Sequence, residues 1–226
     1  MPLPYYVSPE QMMQDKAEYA QKGIAKGRST IVMEYGDGIL FFADNPSASL
    51  NKISEVYDRI AFAGAGKYSE FESLRKAGIR HADLKGYAYS RDDVTAKSLA
   101  NAYSQSMGTM FSQEIKPLEV EILVAEVHDG SGTNEIYRIL YDGNICDEKG
   151  YAVIGGKSEA IKVFLKDKYS ADMPLKEALK LSVEALESTV NTKLAKENME
   201  VAVLDRGRNG RKFRRIKTDE LTSLLT

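Results

Sequence analysis

The sequence begins with MPLPYYVSPEQMMQDKAEYAQKGIAKGRSTIVMEYGDGILFFAD, from Met1 to Asp44, and the rest of the chain is organised around this stretch. Its parts are an apolar and aromatic tail, a helix and a strand pair. The helix has a complete start signal: Ser8 caps free backbone N–H groups, Pro9 suits the first helical position, and Gln11 can close a capping box. We therefore predict a helix over residues 8–26, which follows a tail of residues 1–7.

Two strands follow this helix. Ser29–Tyr35 and Ile39–Ala43 are rich in β-branched and aromatic residues, and the glycine-rich turn Gly36-Asp37-Gly38 joins them. Such a turn between two apolar runs is a strong hairpin signal.

The helix itself has little to bury. Met13, Ala17, Ala20 and Ile24 form an apolar stripe that is too narrow, and made of side chains too small, for a core helix. We expect this helix to pack on a neighbouring subunit; the alternative is a frayed helix on the surface of a single chain.

Composition restricts the class of protein. The 226 residues can bury a sizeable core, and a net charge of −2 does not favour nucleic acid or membrane as a partner. The single cysteine, Cys146, fits a reducing compartment. No apolar run approaches the roughly twenty residues of a membrane span, and the N-terminus lacks a signal-peptide pattern. We expect a cytoplasmic protein.

The order of the remaining elements predicts the fold class. Helices arrive in pairs between groups of strands, which argues against βαβ crossovers and favours two antiparallel sheets with a helical layer outside each, in one domain. The predicted elements after the hairpin are an extended segment at 52–64, helices at 68–83 and from Asp92 or Asp93 to Phe111, strands at 120–127, 135–141 and 151–154, helices at 158–169 and 175–193, strands at 199–204 and 213–216, and a short helix from Thr218.

Two glycine-rich turns resemble phosphate-binding loops without matching them. Gly155-Gly156-Lys157-Ser158 lacks the required earlier glycine, since Tyr151 holds that position. Gly64-Ala65-Gly66-Lys67 fails at two positions, Ala61 and Tyr68. Tight strand-to-helix turns explain both better.

Other candidate chemistry is weak. His81 and His128 lack a second histidine or cysteine at metal-ligand spacing, so we predict no metal site. Cys146 has no histidine close in sequence and is better explained as a small packed side chain than as a nucleophile. The basic run from Arg206 to Lys212, continued by Arg214 and Arg215, could contact phosphates, but a solvated hairpin tip is the stronger interpretation.

Several stretches together resemble one known family, the α-type subunits of the proteasome core particle, of the actinobacterial kind. The resemblance covers essentially the whole chain, with a shorter region at Thr189–Asn198 as the main departure. The matching segments are 5–11 (YYVSPEQ), 22–26 (KGIAK), 45–47 (NPS) with 50–59 (LNKISEVYDR), 86–89 (GYAY), 116–121 (KPLEVE) and 200–205 (EVAVLD).

The resemblance implies the α+β four-layer sandwich of N-terminal-nucleophile hydrolases over residues 29–226, without a cofactor. It also implies a ring of seven copies stacked on β-type subunits, through which unfolded proteins pass. An axial gate is implied at Met1, Pro2, Leu3, Pro4, Tyr5, Tyr6, Val7 and Ser8. Lys52, which the sequence alone would leave as a solvated lysine, is expected with Gly66 to form a docking pocket for the C-terminal tail of an AAA ATPase activator.

The same resemblance bears on catalysis. In catalytic β-type relatives a threonine at a freed N-terminus is the nucleophile, helped by an acidic residue and a lysine on nearby strands. Here Arg28, instead of glycine, precedes Ser29 and Thr30, and a strong helix lies upstream. We expect a non-catalytic subunit; the alternative is a self-processing hydrolase that exposes Ser29 or Thr30.

Overall fold

A computed structural model describes residues 8–130, 132–190 and 192–225. Over these ranges the chain forms two five-stranded antiparallel sheets and six α-helices. The strands are β1 Thr30–Tyr35, β2 Gly38–Asp44, β3 Ile53–Tyr57, β4 Ile60–Gly66, β5 Val120–Glu126, β6 Glu135–Ile139, β7 Ile145–Glu148, β8 Tyr151–Ile154, β9 Met199–Asp205 and β10 Phe213–Arg215. The helices are α1 Pro9–Ala25, α2 Tyr68–Ala88, α3 Ala96–Gln113, α4 Ser158–Lys166, α5 Leu175–Val190 and α6 Thr218–Leu225.

The two sheets stack between two helical layers. One sheet has the strand order β10-β9-β2-β1-β8 and the other β3-β4-β5-β6-β7. Alternation along β1 shows how the layers arise: Val32 packs between the sheets, whereas Ile31 and Met33 on the opposite face pack against α4 and α5. Helices α2 and α3 cover the outer face of the other sheet. The predicted α+β sandwich is confirmed.

Some boundaries differ from the sequence-based prediction. The segment 52–64, predicted as one extended stretch, is a hairpin of β3 and β4 that turns at Asp58-Arg59. Strand β7 was not predicted, and α4 and α5 end a few residues earlier than expected.

The helical pair α2 and α3 was placed correctly but delimited wrongly. Helix α2 continues through Gly86 to Ala88. The glycine at 86 does not end the helix; it makes room for Tyr57, whose hydroxyl would lie 2.2 Å from a Cβ at that position. Helix α3 is capped by Thr95, whose side chain accepts a hydrogen bond from Ser98, and not by Asp92 or Asp93.

Helix α1 begins as predicted, with the Ser8 hydroxyl accepting a hydrogen bond from the Gln11 backbone at 3.2 Å. The capping box does not close, since the Gln11 side chain donates to Asp15 instead. On its inner side only Ala20 and Ile24 are fully buried apolar residues.

The outer side of α1 leaves large apolar side chains accessible. Met12, Met13 and Tyr19 are 39–49% exposed. Lys16 ties the helix to the sandwich: its ammonium donates to the carbonyls of Phe111 and Glu114, where the negative end of α3 attracts a cation. This helix therefore has an apolar surface to offer a partner.

In the described part of the chain, no helix is both long and apolar enough to span a bilayer.

Candidate functional site: the surroundings of Lys52

Lys52 lies where the loop after β2 returns to start β3, beside the end of α1. Its ammonium donates a 2.7 Å hydrogen bond to the carbonyl of Arg28, in the short link between α1 and β1. The residue is half-buried. Burial, with a smaller contribution from Arg28, lowers the pKa of the ammonium to about 8 against the opposing influence of Asp44 and Glu200.

Arg28 and Asp44 complete the charged surroundings of Lys52. The Arg28 guanidinium holds both carboxylate oxygens of Asp44, at 2.9 and 2.7 Å. Asp44 is thereby neutralised by another cation, so Lys52 is left with a backbone carbonyl as its hydrogen-bond partner among the described residues. An ammonium has three N–H donors. The group can therefore accept an anionic ligand without breaking an ion pair of its own.

Gly66, the second predicted docking residue, lies at the end of β4 against the same link. A Cβ on Gly27 would lie 2.8 Å from the backbone nitrogen of Gly66, so the two glycines touch. Lys52 and Gly66 thus contact adjacent residues of the same link, Arg28 and Gly27. Gly66 also has φ +104°, and its own Cβ would lie 2.0 Å from the carbonyl oxygen of Glu119. The backbone geometry at position 66 therefore requires a glycine whether or not a ligand binds there.

Comparison with known proteins gives a consistent answer. A family model described as proteasome subunit matches residues 24–204. A protein of Thermomonospora curvata named proteasome subunit alpha is 52% identical over 226 residues, spanning 100% of this chain and 98% of that protein. Proteins of the same name from Streptomyces coelicolor and Frankia casuarinae are 53% identical over 230 and 234 residues, spanning 100% of this chain and 91% and 98% of theirs.

The chain belongs to the proteasome subunit family. Its relatives are named α subunits, which confirms the resemblance and the expectation of a non-catalytic subunit. Since a proteasome subunit acts within a proteasome, the partners of this chain include other proteasome subunits.

The start of β1, where a catalytic proteasome subunit exposes its nucleophile, is closed in this chain. Ser29 is 8% exposed and its hydroxyl donates to the carbonyl of Gly156, and Thr30 is fully buried. The chain also continues upstream into α1, with the Arg28 carbonyl held by Lys52. Neither hydroxyl has the free terminus and the access that the self-processing alternative requires.

The glycine-rich turn before α4 is filled by the protein itself. Gly156 lies against the end of α1, where a Cβ would lie 2.6 Å from the carbonyl of Ala25. Lys157, at φ 59°, directs its ammonium to the carbonyl of Thr189. A phosphate loop needs backbone N–H groups and a lysine turned to a ligand, so the tight-turn interpretation fits this geometry.

The basic residues near the C-terminus have hydrogen-bond or ion-pair partners within the chain, four of them carboxylates, which favours the solvated hairpin over a nucleic-acid surface. The partners are Asn134 for Arg206, the Phe213 carbonyl for Arg208, Glu55 for Arg211, Asp129 for Lys212, Glu220 for Arg214 and Glu200 for Arg215.

The histidines differ in their surroundings. His81 is exposed on α2. His128 lies with Glu126 and Glu135 in a group whose potential ligand atoms are within 4.8 Å of one another. Arg59 already supplies a cation there, 3.2 Å from the buried Glu126 carboxylate, which also accepts the backbone N–H of Ala96. Cys146 is half-buried on the edge strand β7.

Sequence reasoning gave Glu200 no role of its own. This residue of β9 holds the backbone of Lys52 and Ile53 through its carboxylate. Its only sequence signal was its place in the segment 200–205, which matches the proteasome family.

Proposed function

We propose that this chain forms a seven-membered α-ring at the entrance of a cytoplasmic proteasome core particle. The ring stacks on β-type subunits and admits unfolded proteins to their proteolytic chamber. It docks the C-terminal tail of an AAA ATPase activator at Lys52 and Gly66. Residues Met1–Ser8 serve as the axial gate; of these, Met1–Val7 lie outside the described residues.

The observation that carries the docking proposal is the state of the Lys52 ammonium. The group is half-buried, its pKa is lowered to about 8, and the nearby carboxylate of Asp44 is occupied by Arg28. A terminal carboxylate placed beside Lys52 would pair with the ammonium and relieve the cost of its burial. A compact ammonium suits a single chain terminus, and partial burial makes such a pair stronger than the ~0–1 kcal/mol of an exposed one.

The exposed face of α1 supports the ring. Met12 and Tyr19 are each 49% exposed on a helix whose buried side is narrow. Packing against a second copy would cover them. The accessible side of α1 would then be an interface between neighbouring subunits.

The docking proposal is tested with Lys52→Ala in the assembled particle of this chain and its β-type partner. The matched control is Lys166→Ala, which removes an exposed lysine at the end of α4. Peptide hydrolysis is measured with and without the activating ATPase. The ratio of the two rates should fall to about one for Lys52→Ala and stay at the wild-type value for the control. A wild-type ratio in Lys52→Ala would return Lys52 to the status of a surface charge.

A further inference from the structure

Glu200 is the most heavily hydrogen-bonded side chain around the Lys52 loop. Its Oε2 accepts the backbone N–H of Lys52 at 2.8 Å and the side-chain amide of Asn45 at 2.7 Å. Its Oε1 accepts the backbone N–H of Ile53 at 3.1 Å and a guanidinium N–H of Arg215 at 2.8 Å. The side chain is 9% exposed. One carboxylate therefore binds two consecutive amides at the start of β3.

The partners of Glu200 hold it from both ends of the loop. Asn45, at the start of the loop, donates to Glu200 and also to the carbonyl of Leu50. Arg215, on β10, donates to Glu200 and to the carbonyl of Ile53. The carboxylate thus joins the two sheets at the point where Lys52 leaves the loop, since β9 and β10 belong to one sheet and β3 to the other.

We propose that Glu200 is a positioning residue that fixes the backbone of Lys52 and so aims its ammonium at a ligand carboxylate. This inference rests on the proposed docking function of Lys52. Glu200 does not touch the ligand in this scheme; it acts through Lys52. Charge-assisted hydrogen bonds to backbone amides are well suited to this role, because they are stronger than neutral ones and fix direction.

Glu200 also acts on the charge of Lys52. The charged groups that influence the ammonium are Arg28, Asp44 and Glu200; the two carboxylates favour its protonated form and Arg28 opposes it. Arg28 is paired with Asp44, and Arg215 with Glu200. Removing the charge of Glu200 should therefore make Lys52 easier to deprotonate, an effect that a purely architectural tie between the sheets would not produce.

Three variants separate position from charge. Glu200→Gln keeps the length of the side chain and one acceptor oxygen but removes the charge. Glu200→Asp keeps the charge but withdraws it from the two amides by one methylene. Glu197→Gln is the matched control, since it removes a charge from an exposed residue three positions earlier in the chain.

The experiment has two readouts on the assembled particle. The first is the rate of acetylation of Lys52 by acetic anhydride against pH, measured by mass spectrometry, which gives the titration midpoint of the amine without any ligand. The second is the affinity for a fluorescein-labelled peptide of the last eight residues of the source organism's AAA ATPase activator, with the C-terminally amidated peptide as a blank.

For Glu200→Gln we expect a Lys52 midpoint at lower pH and a loss of peptide affinity of roughly tenfold, on the scale of one charge-assisted hydrogen bond. Glu200→Asp should keep a midpoint closer to the wild-type value and still lose affinity. The control should change neither. If Glu200→Gln does not assemble, Asn45→Ala takes its place, since it removes one of the groups that hold Glu200. It keeps the charge of Glu200, so, as for Glu200→Asp, the midpoint should stay near the wild-type value while affinity is lost, and wild-type affinity would overturn the positioning role.

The outcomes distinguish the two proposals. Wild-type midpoint and wild-type affinity in Glu200→Gln would overturn the positioning role. Docking at Lys52 would be overturned if the wild-type particle bound the free and the amidated peptide equally well. A lowered Lys52 midpoint in Glu200→Gln would in that case still show that Glu200 influences Lys52.

Discussion

Gly66→Ala separates two explanations of one residue, because we propose Gly66 as part of a docking pocket and its backbone geometry also requires a glycine. Its φ of +104° lies in the region that L-residues avoid, and a Cβ would stand 2.0 Å from the Glu119 carbonyl oxygen. That oxygen belongs to the backbone that leads into β5, where Gly66 pairs with Val120. The contact cannot be relieved by rotating a side chain.

The expected loss of folding stability in Gly66→Ala has two contributions, the positive φ and the clash with the Glu119 carbonyl oxygen. A positive φ costs an alanine ~1–2 kcal/mol. The clash adds a shift of the β4–β5 pair, which we place at ~1–3 kcal/mol by analogy with overpacked cores. Together they give about 3 kcal/mol. Gly210→Ala is the matched control, because Gly210 has φ +72° and nothing within 4 Å of the position of a Cβ. This variant should lose only the stability that a positive φ costs an alanine.

The assay is thermal unfolding followed by circular dichroism, with all variants at one protein concentration because assembly shifts the apparent Tm. At roughly 2–4 °C per kcal/mol for a chain of this size, Gly66→Ala should lose ~6–12 °C and Gly210→Ala about half of that or less. Equal Tm values for the two variants would refute the structural explanation. Ligand docking would then be left as the reason for a glycine at position 66.

Three further predictions concern the gate, the core and the docking charge. Deleting Met1–Val7 should speed hydrolysis of long peptides by the assembled particle; equal rates with and without the tail would contradict a gate. Gly78→Ala should destabilise the fold by ~2 kcal/mol or more, since its Cβ would stand 1.7 Å from the Tyr103 hydroxyl; Tyr103→Phe, which removes a buried hydroxyl without a hydrogen-bond partner among the described residues, should recover part of that loss in denaturant unfolding. Activator-peptide affinity should be constant below pH about 8 and fall above it, because Lys52, with its pKa lowered to about 8, then loses its proton; Lys52→Arg should give a flat profile, and a flat wild-type profile would contradict the assignment.

Apolar periodicity was sufficient for most of the fold. The hairpin of β1 and β2, the helix pairs and the order of the layers all follow from it, because these segments bury at least one continuous face. The turn between β3 and β4 was missed since Asp58-Arg59 contains neither glycine nor proline. Strand β7, with the sequence Ile-Cys-Asp-Glu, lies at the edge of its sheet and has too few apolar residues to be recognised.

The site was less predictable than the fold, because its geometry depends on contacts between distant parts of the chain. Lys52 was singled out by family resemblance alone. Glu200 lies 148 positions after the Lys52 amide that it binds, and an isolated glutamate at the start of a strand gives no local signal of such a role. The same holds for Arg28, whose guanidinium and carbonyl serve two different partners.

These contacts connect the absence of a nucleophile to the availability of Lys52. In a catalytic relative the acidic residue and the lysine beside β1 serve a free N-terminal threonine. Here Arg28 precedes Ser29 and Thr30 in a continuous chain; its guanidinium binds Asp44 and its carbonyl accepts a hydrogen bond from Lys52. Asp44 is thereby neutralised, whereas the Lys52 ammonium meets a neutral carbonyl among the described residues and carries a charge that burial disfavours. An ammonium in this state gains more from an external carboxylate than one already in an ion pair. Under the proposed docking function, the pairing of Arg28 with Asp44 therefore leaves the Lys52 ammonium available for the carboxylate of a chain terminus.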